Sequence, residues 1–404
     1  MGASVTLATV QQARAVILAA AAPLGAVETP LAEADGRWLA ETVSATRDQP
    51  PFDASAMDGW AVRSADVAPG ARLSIVGEIA AGHASGATVG PGQAARIFTG
   101  AALPPGADRV VIQEEARRDA DTLILGEQIS EATWVRPRGG DFRSGEALLS
   151  PGARLGPWRL ALAAAAGRTT LLCATRPRVA ILPTGDEIRA AGEPVGLHQI
   201  YDSAGPALVA FASRWGAEAR LLAPVEDDDI ALDSIMTDTD VDLLVTVGGA
   251  SVGDHDRLKP VARGLGADLT VDGIAMRPGK PLWFGRFPSG RLILGLPGNP
   301  VSALVCAELF LAPLLAALQG GRVDFVVEAA TLGAALEANG PREHYMRALR
   351  STEEGPPTVR PAGSQDSSLV RVLAGSDALI RRAPLAPALA VGDPVDLVRL
   401  SYER

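Results

Sequence analysis

The spacing of apolar residues changes character three times along the chain. Between residues 5 and 45, Val16, Leu18, Leu31 and Leu39 recur with helical spacing around a break at Pro23 and Gly25, which predicts two helices. From about residue 70 to 150 the pattern is one of short apolar runs separated by Gly and Pro: Leu73–Val76, Ala94–Phe98, Val110–Gln113 and Thr122–Leu125. That rhythm predicts a small β-rich domain. Ala161–Gly167 reads as a short Ala-rich helix, and Arg176-Pro177 as a linker.

Beyond the linker, strand and helix patterns alternate. Arg178–Leu182, Ala219–Ala223 and Val241–Val247 read as strands, and Ser203–Ala217 and Asp227–Met236 as helices. Two further strands, Leu282–Gly285 and Leu292–Gly295, lead into a helix opened by Asn299. The alternation predicts a parallel, doubly wound α/β sheet across residues 176–320. Residues 322–404 return to short β-like runs, Phe325–Val327, Thr358–Arg360 and Val395–Val398, so a second small β domain is expected there.

Composition narrows the function classes. With 404 residues, 47% of them hydrophobic and 21% charged, the chain has material for two to four packed domains. A formal net charge of -10 opposes long-range attraction to nucleic acid or an anionic membrane. An anionic ligand must therefore meet a local cluster of cations. Cys173 and Cys306 lie in apolar runs and read as buried thiols. The four histidines, His83, His198, His255 and His344, have no paired spacing, which argues against a zinc site. No basic patch precedes an apolar stretch at the N-terminus, so the expected compartment is the cytoplasm. Val301–Leu318 approaches the length of a membrane span, but Glu308 and Pro313 interrupt it, and a buried helix is the better reading. Of 37 basic residues only Lys259 and Lys280 are lysines, and a lysine retained against that bias suits chemistry that needs a compact ammonium.

Ligands of a doubly wound sheet bind where the loops leave the carboxyl ends of the strands. Here those loops carry Pro183-Thr184-Gly185-Asp186-Glu187, then Glu226, Asp227 and Asp228, then Gly248–Asp256, which includes Ser251, Asp254 and Asp256. Asp186 and Asp254 read equally well as helix caps, and the acids at 227–229 as a solvated helix start. Several carboxylates on one edge nevertheless favour a hard cation such as Mg²⁺. Gly248-Gly249 permits backbone N–H groups to approach an anion. Arg277-Pro278-Gly279-Lys280-Pro281 brings two cations to the same edge, and Leu296-Pro297-Gly298-Asn299-Pro300 brackets a helix start with prolines. Neither a Walker loop nor a dinucleotide fingerprint is present in the sequence.

Taken in order, Ser55–Val62, Phe98–Ala101, Gly140–Gly145, Pro183–Glu187, Gly248–Asp256, Pro278–Pro281 and Leu296–Pro300 resemble the MoeA family of molybdopterin molybdenumtransferases, which includes the C-terminal domain of gephyrin. The resemblance implies four parts: a helical domain (1–50 and 142–175), an inserted β domain (51–141), a MogA-like α/β domain carrying the active site (176–321) and a C-terminal β-barrel domain (322–404). It further implies an elongated cytoplasmic homodimer with a site shared between protomers, and transient contact with upstream and downstream proteins of the same cofactor route.

The activity it implies joins molybdate to adenylylated molybdopterin, with Mg²⁺-dependent cleavage of the pyrophosphate bond and release of AMP. Carried over by position, Asp58, Thr99, Asp141, Glu187, Asp256 and Lys280 are the implied catalytic residues, and Glu187, either Asp227 or Asp228, and Asp256 the implied metal ligands. Gly248, Gly249, Ser251, Arg277, Pro297, Pro300, Arg347, Ser367 and Ser368 are the implied substrate contacts. Arg277 stands where the family often has lysine, and Asp254 where it often has glutamate. Two competing readings remain, a MogA-type adenylyltransferase and a dimeric gephyrin-like scaffold without catalysis. The extra domains and the Asp58 loop argue against the first, the intact acids and lysines against the second.

Overall fold

The computed structural model describes residues 7–83, 86–226, 228–249, 257–323, 327–351 and 358–400. The chain packs as two units, one of Met1–Ala40, Pro151–Gly156 and Leu171–Arg404, the other of Glu41–Ser150 and Pro157–Thr170.

The second unit holds a six-stranded sheet in the order Arg109–Ile112, Gly59–Val62, Gln93–Ile97, Arg72–Ile79, Thr122–Leu125, Ala116–Asp119. Alternation along the strand Gly59–Val62 sends Trp60 and Val62 to one core with Leu73, Val111 and Leu123, and Ala61 to another with Ile79, Ala95 and Ile97. The β-rich reading of this stretch holds.

In the first unit a six-stranded sheet runs in the order Glu218–Leu221, Arg178–Pro183, Leu243–Val247, Leu292–Leu296, Trp283–Arg286, Asp268–Asp272. The first four strands are parallel, and the apolar runs of the inner three, Arg178–Pro183, Leu243–Val247 and Leu292–Leu296, are buried on both faces by helices, whereas the edge strand Glu218–Leu221 is largely exposed. Trp283–Arg286 runs antiparallel to both its neighbours, Leu292–Leu296 and Asp268–Asp272, which corrects the expectation of an all-parallel sheet. Only five residues, Phe287–Arg291, connect Trp283–Arg286 to Leu292–Leu296, and so short a connection cannot make a parallel crossover. The strand Asp268–Asp272 is absent from the sequence reading because its charged ends obscure the apolar alternation.

The long helix Pro300–Leu318 crosses the core and is 83% buried, as its apolar composition requires. A single π turn at Ala307–Leu311 precedes Pro313 and accommodates the residue that lacks an N–H.

Five strands, Val327–Leu332, Glu343–Ser351, Thr358–Pro361, Ala378–Arg382 and Pro394–Arg399, pair in a closed ring and form the C-terminal barrel. Two of them, Glu343–Ser351 and Ala378–Arg382, escape the sequence reading because Glu343, Arg347, Arg381 and Arg382 interrupt their apolar runs. The expected strand Phe325–Val327 begins on residues outside those described.

One further expectation is corrected. The first of two predicted N-terminal helices is present as Val10–Ala19, closed by a Thr9–Gln12 capping box. The second is not: Ala26–Pro30 is a strand, Leu31–Glu33 a single 3-10 turn, and Val43–Ser44 a strand paired with Ala147–Leu149. Two β-branched residues, Val27 and Thr29, followed by Pro30 favour extended backbone over helix.

Candidate active site

The parallel strands Arg178–Pro183 and Leu243–Val247 are neighbours from which the chain winds outward in opposite directions, so the loops after them diverge and leave a crevice. Close backbone approach shapes it. The Thr184 N–H donates to the Val247 carbonyl at 2.8 Å, and the Gly248 N–H to the Leu296 carbonyl at 3.3 Å. Gly248 has φ +109°, and a Cβ there would lie 2.4 Å from the Thr184 carbonyl oxygen. No residue with a side chain fits that position without moving the loop.

The antiparallel strands bring further groups to the same edge. Trp283–Arg286 starts, and Asp268–Asp272 ends, beside the carboxyl ends of the parallel strands, since Asp272 pairs with Trp283 and Trp283 with Gly295. Asp272, Lys280 and Pro281 therefore join Thr184, Glu187, Gly248, Gly249, Lys259, Pro297, Asn299 and Pro300 around one cavity of about 920 Å³. Ile188, Ile200 and Tyr201 form an apolar portion of its wall. The N-terminus of the helix Pro300–Leu318, with Asn299 at the cap position and Pro300 in its first turn, opens onto it.

A second cavity of about 390 Å³ adjoins the first and shares Lys280, Pro281, Pro297 and Asn299 with it. Its remaining wall comes from Arg277, Pro278, Gly279, Ser302 and Arg342, and from Gln365, Asp366 and Ser367 of the barrel. Met276–Arg277 pairs in parallel with Glu343-His344 of the barrel, which fixes the start of the Pro278–Pro281 loop. Gly279 has φ +118°, and a Cβ there would meet the Cys306 sulfur at 2.6 Å, so the loop lies directly on the core. The loop Ser364–Ser368 is tied down in turn: Asn299 Nδ2 donates to Ser367 Oγ at 3.0 Å, and the Ser368 N–H and Oγ donate to Asp366 Oδ1 at 2.8 and 2.7 Å.

Against that loop lies Arg347, with 0% exposure. Its Nη2 donates to the carbonyls of Ser364 and Asp366, both at 3.2 Å, while Nε and Nη1 have no partner among the described residues. Burial lowers its pKa; Asp366 opposes the shift and Arg277 adds to it. A buried guanidinium with two unsatisfied nitrogens marks a place where an anion is strongly favoured. His344, beside Arg277 in register, is held down to about 4 by burial and by the charges of Arg277, Arg347, Arg342 and Arg382, so it is neutral at ordinary pH.

The other unit presents its own polar cluster. Asp58, in the turn between Ala54–Ser55 and Gly59–Val62, accepts from the Thr99 N–H at 2.8 Å and from Thr99 Oγ1 at 2.7 Å, both on Oδ1. These two bonds, Thr99 N–H first, lower the Asp58 pKa, and the Arg96 charge adds to the effect. Arg96 lies 5.3 Å from the Trp60 ring centroid and 5.0 Å from that of Phe98. Asp58 is thus an ionised carboxylate held by one oxygen, with Oδ2 unpartnered among the described residues.

Several sequence expectations can now be located. Gly248, Gly249, Glu187, Lys280, Pro297, Pro300 and Ser368 line the larger cavity; Arg277, Lys280, Pro297 and Ser367 line the smaller one, and Arg347 is packed against Ser364 and Asp366. Asp58 and Thr99 meet, whereas Asp141 is exposed on the segment before Ala147–Leu149, where its N–H donates to Gln49. Asp228 caps the helix Asp229–Asp238, its carboxylate accepting from the Ala231 N–H at 2.8 Å, and it does not line the cavity. Asp227, Ser251, Asp254 and Asp256 lie outside the described residues.

Among the described residues no group of three or more His, Cys, Asp or Glu side chains is gathered as for a metal. The acids on the larger cavity are Glu187, Asp202 and Asp272. Asp272 is engaged by Lys259 and Arg263, and Asp202 accepts from the Ala204 and Gly205 N–H groups, but among the described residues nothing engages the Glu187 carboxylate. Lys259 and Asp272 are site residues that the sequence reading did not assign. The scarcity of lysine is the signal that pointed to Lys259, and nothing comparable marked Asp272.

Comparison with known proteins agrees with this architecture. Residues 8–167 match the family described as MoeA N-terminal region (domain I and II), residues 180–317 a probable molybdopterin binding domain, and residues 329–400 the MoeA C-terminal region (domain IV). The chain is 36% identical to a molybdopterin molybdenumtransferase of Nostoc sp., over 83% of this chain and 79% of that one. It is 38% identical to the one of Synechococcus elongatus, over 73% and 76%. A crystal structure of the molybdopterin biosynthesis MoeA protein of Pyrococcus horikoshii is similar over 98% of this chain and 99% of that one, with a TM-score of 0.78 and 29% identity.

Proposed function

The chain belongs to the MoeA family, and from that membership we propose that it is a molybdopterin molybdenumtransferase: it joins molybdate to adenylylated molybdopterin and releases AMP. The observation that carries the reading is the pair of adjoining cavities with Lys280 in their common wall. The larger offers volume and an apolar wall for a pterin and its nucleotide. The smaller offers Arg277, Lys280 and Arg342, with buried Arg347 packed against its Ser364–Ser368 loop, for a tetrahedral dianion. An oxyanion held there sits next to whatever occupies the larger cavity, which is the proximity that joining the two requires.

The protein's own groups then act by position and charge. Backbone N–H groups near Gly248 and the N-terminus of Pro300–Leu318 stabilise phosphate, and Lys280 faces the charge that develops between phosphate and oxyanion. Glu187 is the described carboxylate suited to Mg²⁺, because the cavity wall offers carboxylate oxygens and neither histidine nor cysteine. Bound there, Mg²⁺ would neutralise charge on the pyrophosphate. The proposed assembly is a homodimer in which Asp58 and Thr99 of a second copy complete the site.

The test is direct: purified protein supplied with adenylylated molybdopterin, molybdate and Mg²⁺ releases AMP in step with cofactor formation. Product that forms only from ATP and free molybdopterin would establish the adenylyltransferase alternative instead.

A further inference from the structure

Three strands of the second unit end together around Asp58. Gly59–Val62 pairs antiparallel with Gln93–Ile97 on one side and with Arg109–Ile112 on the other, and Gly59 lies opposite both Ile97 and Ile112. Asp58 therefore precedes the central strand at the edge where Phe98 and Thr99 leave one neighbour and Gln113 leaves the other. The same register sets Trp60 opposite Arg96, and Arg96 and Phe98, two residues apart, share a face with it.

Arg96 ties these strand ends to one another. Its guanidinium carbon lies over the Trp60 and Phe98 rings, 5.3 and 5.0 Å from their centroids, and such stacking restricts the plane of the fork. Nη1 donates to the Gly59 carbonyl at 3.2 Å and Nη2 to Gln113 Oε1 at 2.8 Å. Gln113 is held in turn: its Nε2 donates to Glu114 Oε1 at 3.2 Å and its backbone N–H to the Asp58 carbonyl at 3.1 Å. One side chain thus braces the residue after Asp58, the residue bonded to the Asp58 backbone and, through Phe98, the turn whose Thr99 holds the Asp58 carboxylate. After the two Thr99 bonds, the Arg96 charge is the further influence that favours the ionised Asp58, while Glu114 is engaged by Gln113.

We propose that Arg96 is a positioning residue for Asp58, bracing with its planar fork the turn that presents this carboxylate, and that the proposed transfer depends on Arg96 through Asp58 alone. The proposal rests on the transferase reading for the reaction it serves, and its test therefore has one arm with turnover and one without. AMP release is measured under single-turnover conditions for the full-length wild-type protein and for Arg96→Met, Arg96→Lys, Asp58→Ala and Arg96→Met/Asp58→Ala. Separately, the ¹³C-carboxyl resonance of Asp58, assigned by its loss in Asp58→Asn, is titrated in the wild-type protein and in Arg96→Met.

Arg96→Met keeps the packing of the stem and removes the fork, and the resulting misplacement of Asp58 lowers the rate by about tenfold to a hundredfold. Arg96→Lys recovers little of that loss, because one ammonium does not reproduce a stacked fork with two fixed donors. In the Asp58→Ala background Arg96→Met costs less than about twofold more, since the group it positions is already gone. The Asp58 carboxyl titrates at higher pH in Arg96→Met than in the wild-type protein, as loss of the charge and loosening of the Thr99 bonds both require. Equal losses from Arg96→Met in both backgrounds assign Arg96 a role in the fold at large and overturn the proposal, and so does wild-type activity in Arg96→Lys. An unchanged Asp58 titration overturns it whether or not AMP is released. If the titration moves as expected but the wild-type protein releases no AMP, the transferase reading fails and the bracing of Asp58 by Arg96 stands.

Discussion

Lys280→Met lowers kcat/KM for molybdate-dependent AMP release by about two to three orders of magnitude, the range found when one preorganised donor is removed from a site of developing charge. The reason is its position in the wall common to both cavities, where in the proposed reaction one ammonium would face phosphate on one side and oxyanion on the other. Methionine keeps the length and packing of the stem and removes only the charge. Lys280→Arg retains the charge but recovers activity poorly. Lys280 follows Gly279, whose backbone lies against the Cys306 sulfur, so the loop has little freedom to re-aim a longer, planar group. Steady-state kinetics with molybdate varied at saturating adenylylated molybdopterin measures the effect. A loss smaller than tenfold would remove Lys280 from the chemistry.

The second large effect is expected far away in sequence. Asp58→Ala reduces AMP release by at least about two orders of magnitude, as loss of a positioned acid–base or ligand-orienting carboxylate does. Thr99 holds Oδ1 with two hydrogen bonds that favour the ionised carboxylate, and both lie at the surface, outside the apolar core. The Tm should therefore change little. If the site is shared in a dimer, Asp58→Ala and Lys280→Met chains that are unfolded together and refolded regain activity. Half of the dimers are then mixed, each with one intact site, which predicts about a quarter of wild-type activity. Wild-type turnover by Asp58→Ala, or no recovery on mixing despite demonstrated exchange of chains, contradicts the shared site.

Much of this arrangement is legible in the sequence because simple physical rules act locally. The loops Thr184–Glu187, Gly248-Gly249 and Pro297–Pro300 follow strands whose continuous apolar runs identify them, and topology alone directs such loops to one crevice. What escapes is what depends on pairing across long distances. The reversal of Trp283–Arg286, which puts its start and the end of Asp268–Asp272 at one edge, decides that Lys280 and Asp272 face the crevice, and no periodicity encodes the direction of a strand. The barrel strand carrying Arg347 is interrupted by charge because that charge is buried against the Ser364–Ser368 loop. Asp228 follows the helix-start reading of residues 227–229: its carboxylate accepts from the Ala231 N–H. Lys259 is conspicuous in the sequence only by its rarity, and the structure places it in the wall of the larger cavity.

The most direct test of the account is anomalous diffraction at the molybdenum edge from crystals soaked in molybdate. A molybdenum peak is expected in the 390 Å³ cavity, within hydrogen-bonding reach of Arg277 and Lys280 and beside the Ser364–Ser368 loop against which Arg347 is packed. A peak only elsewhere in the molecule, from crystals of protein that still releases AMP on addition of molybdate, would contradict it.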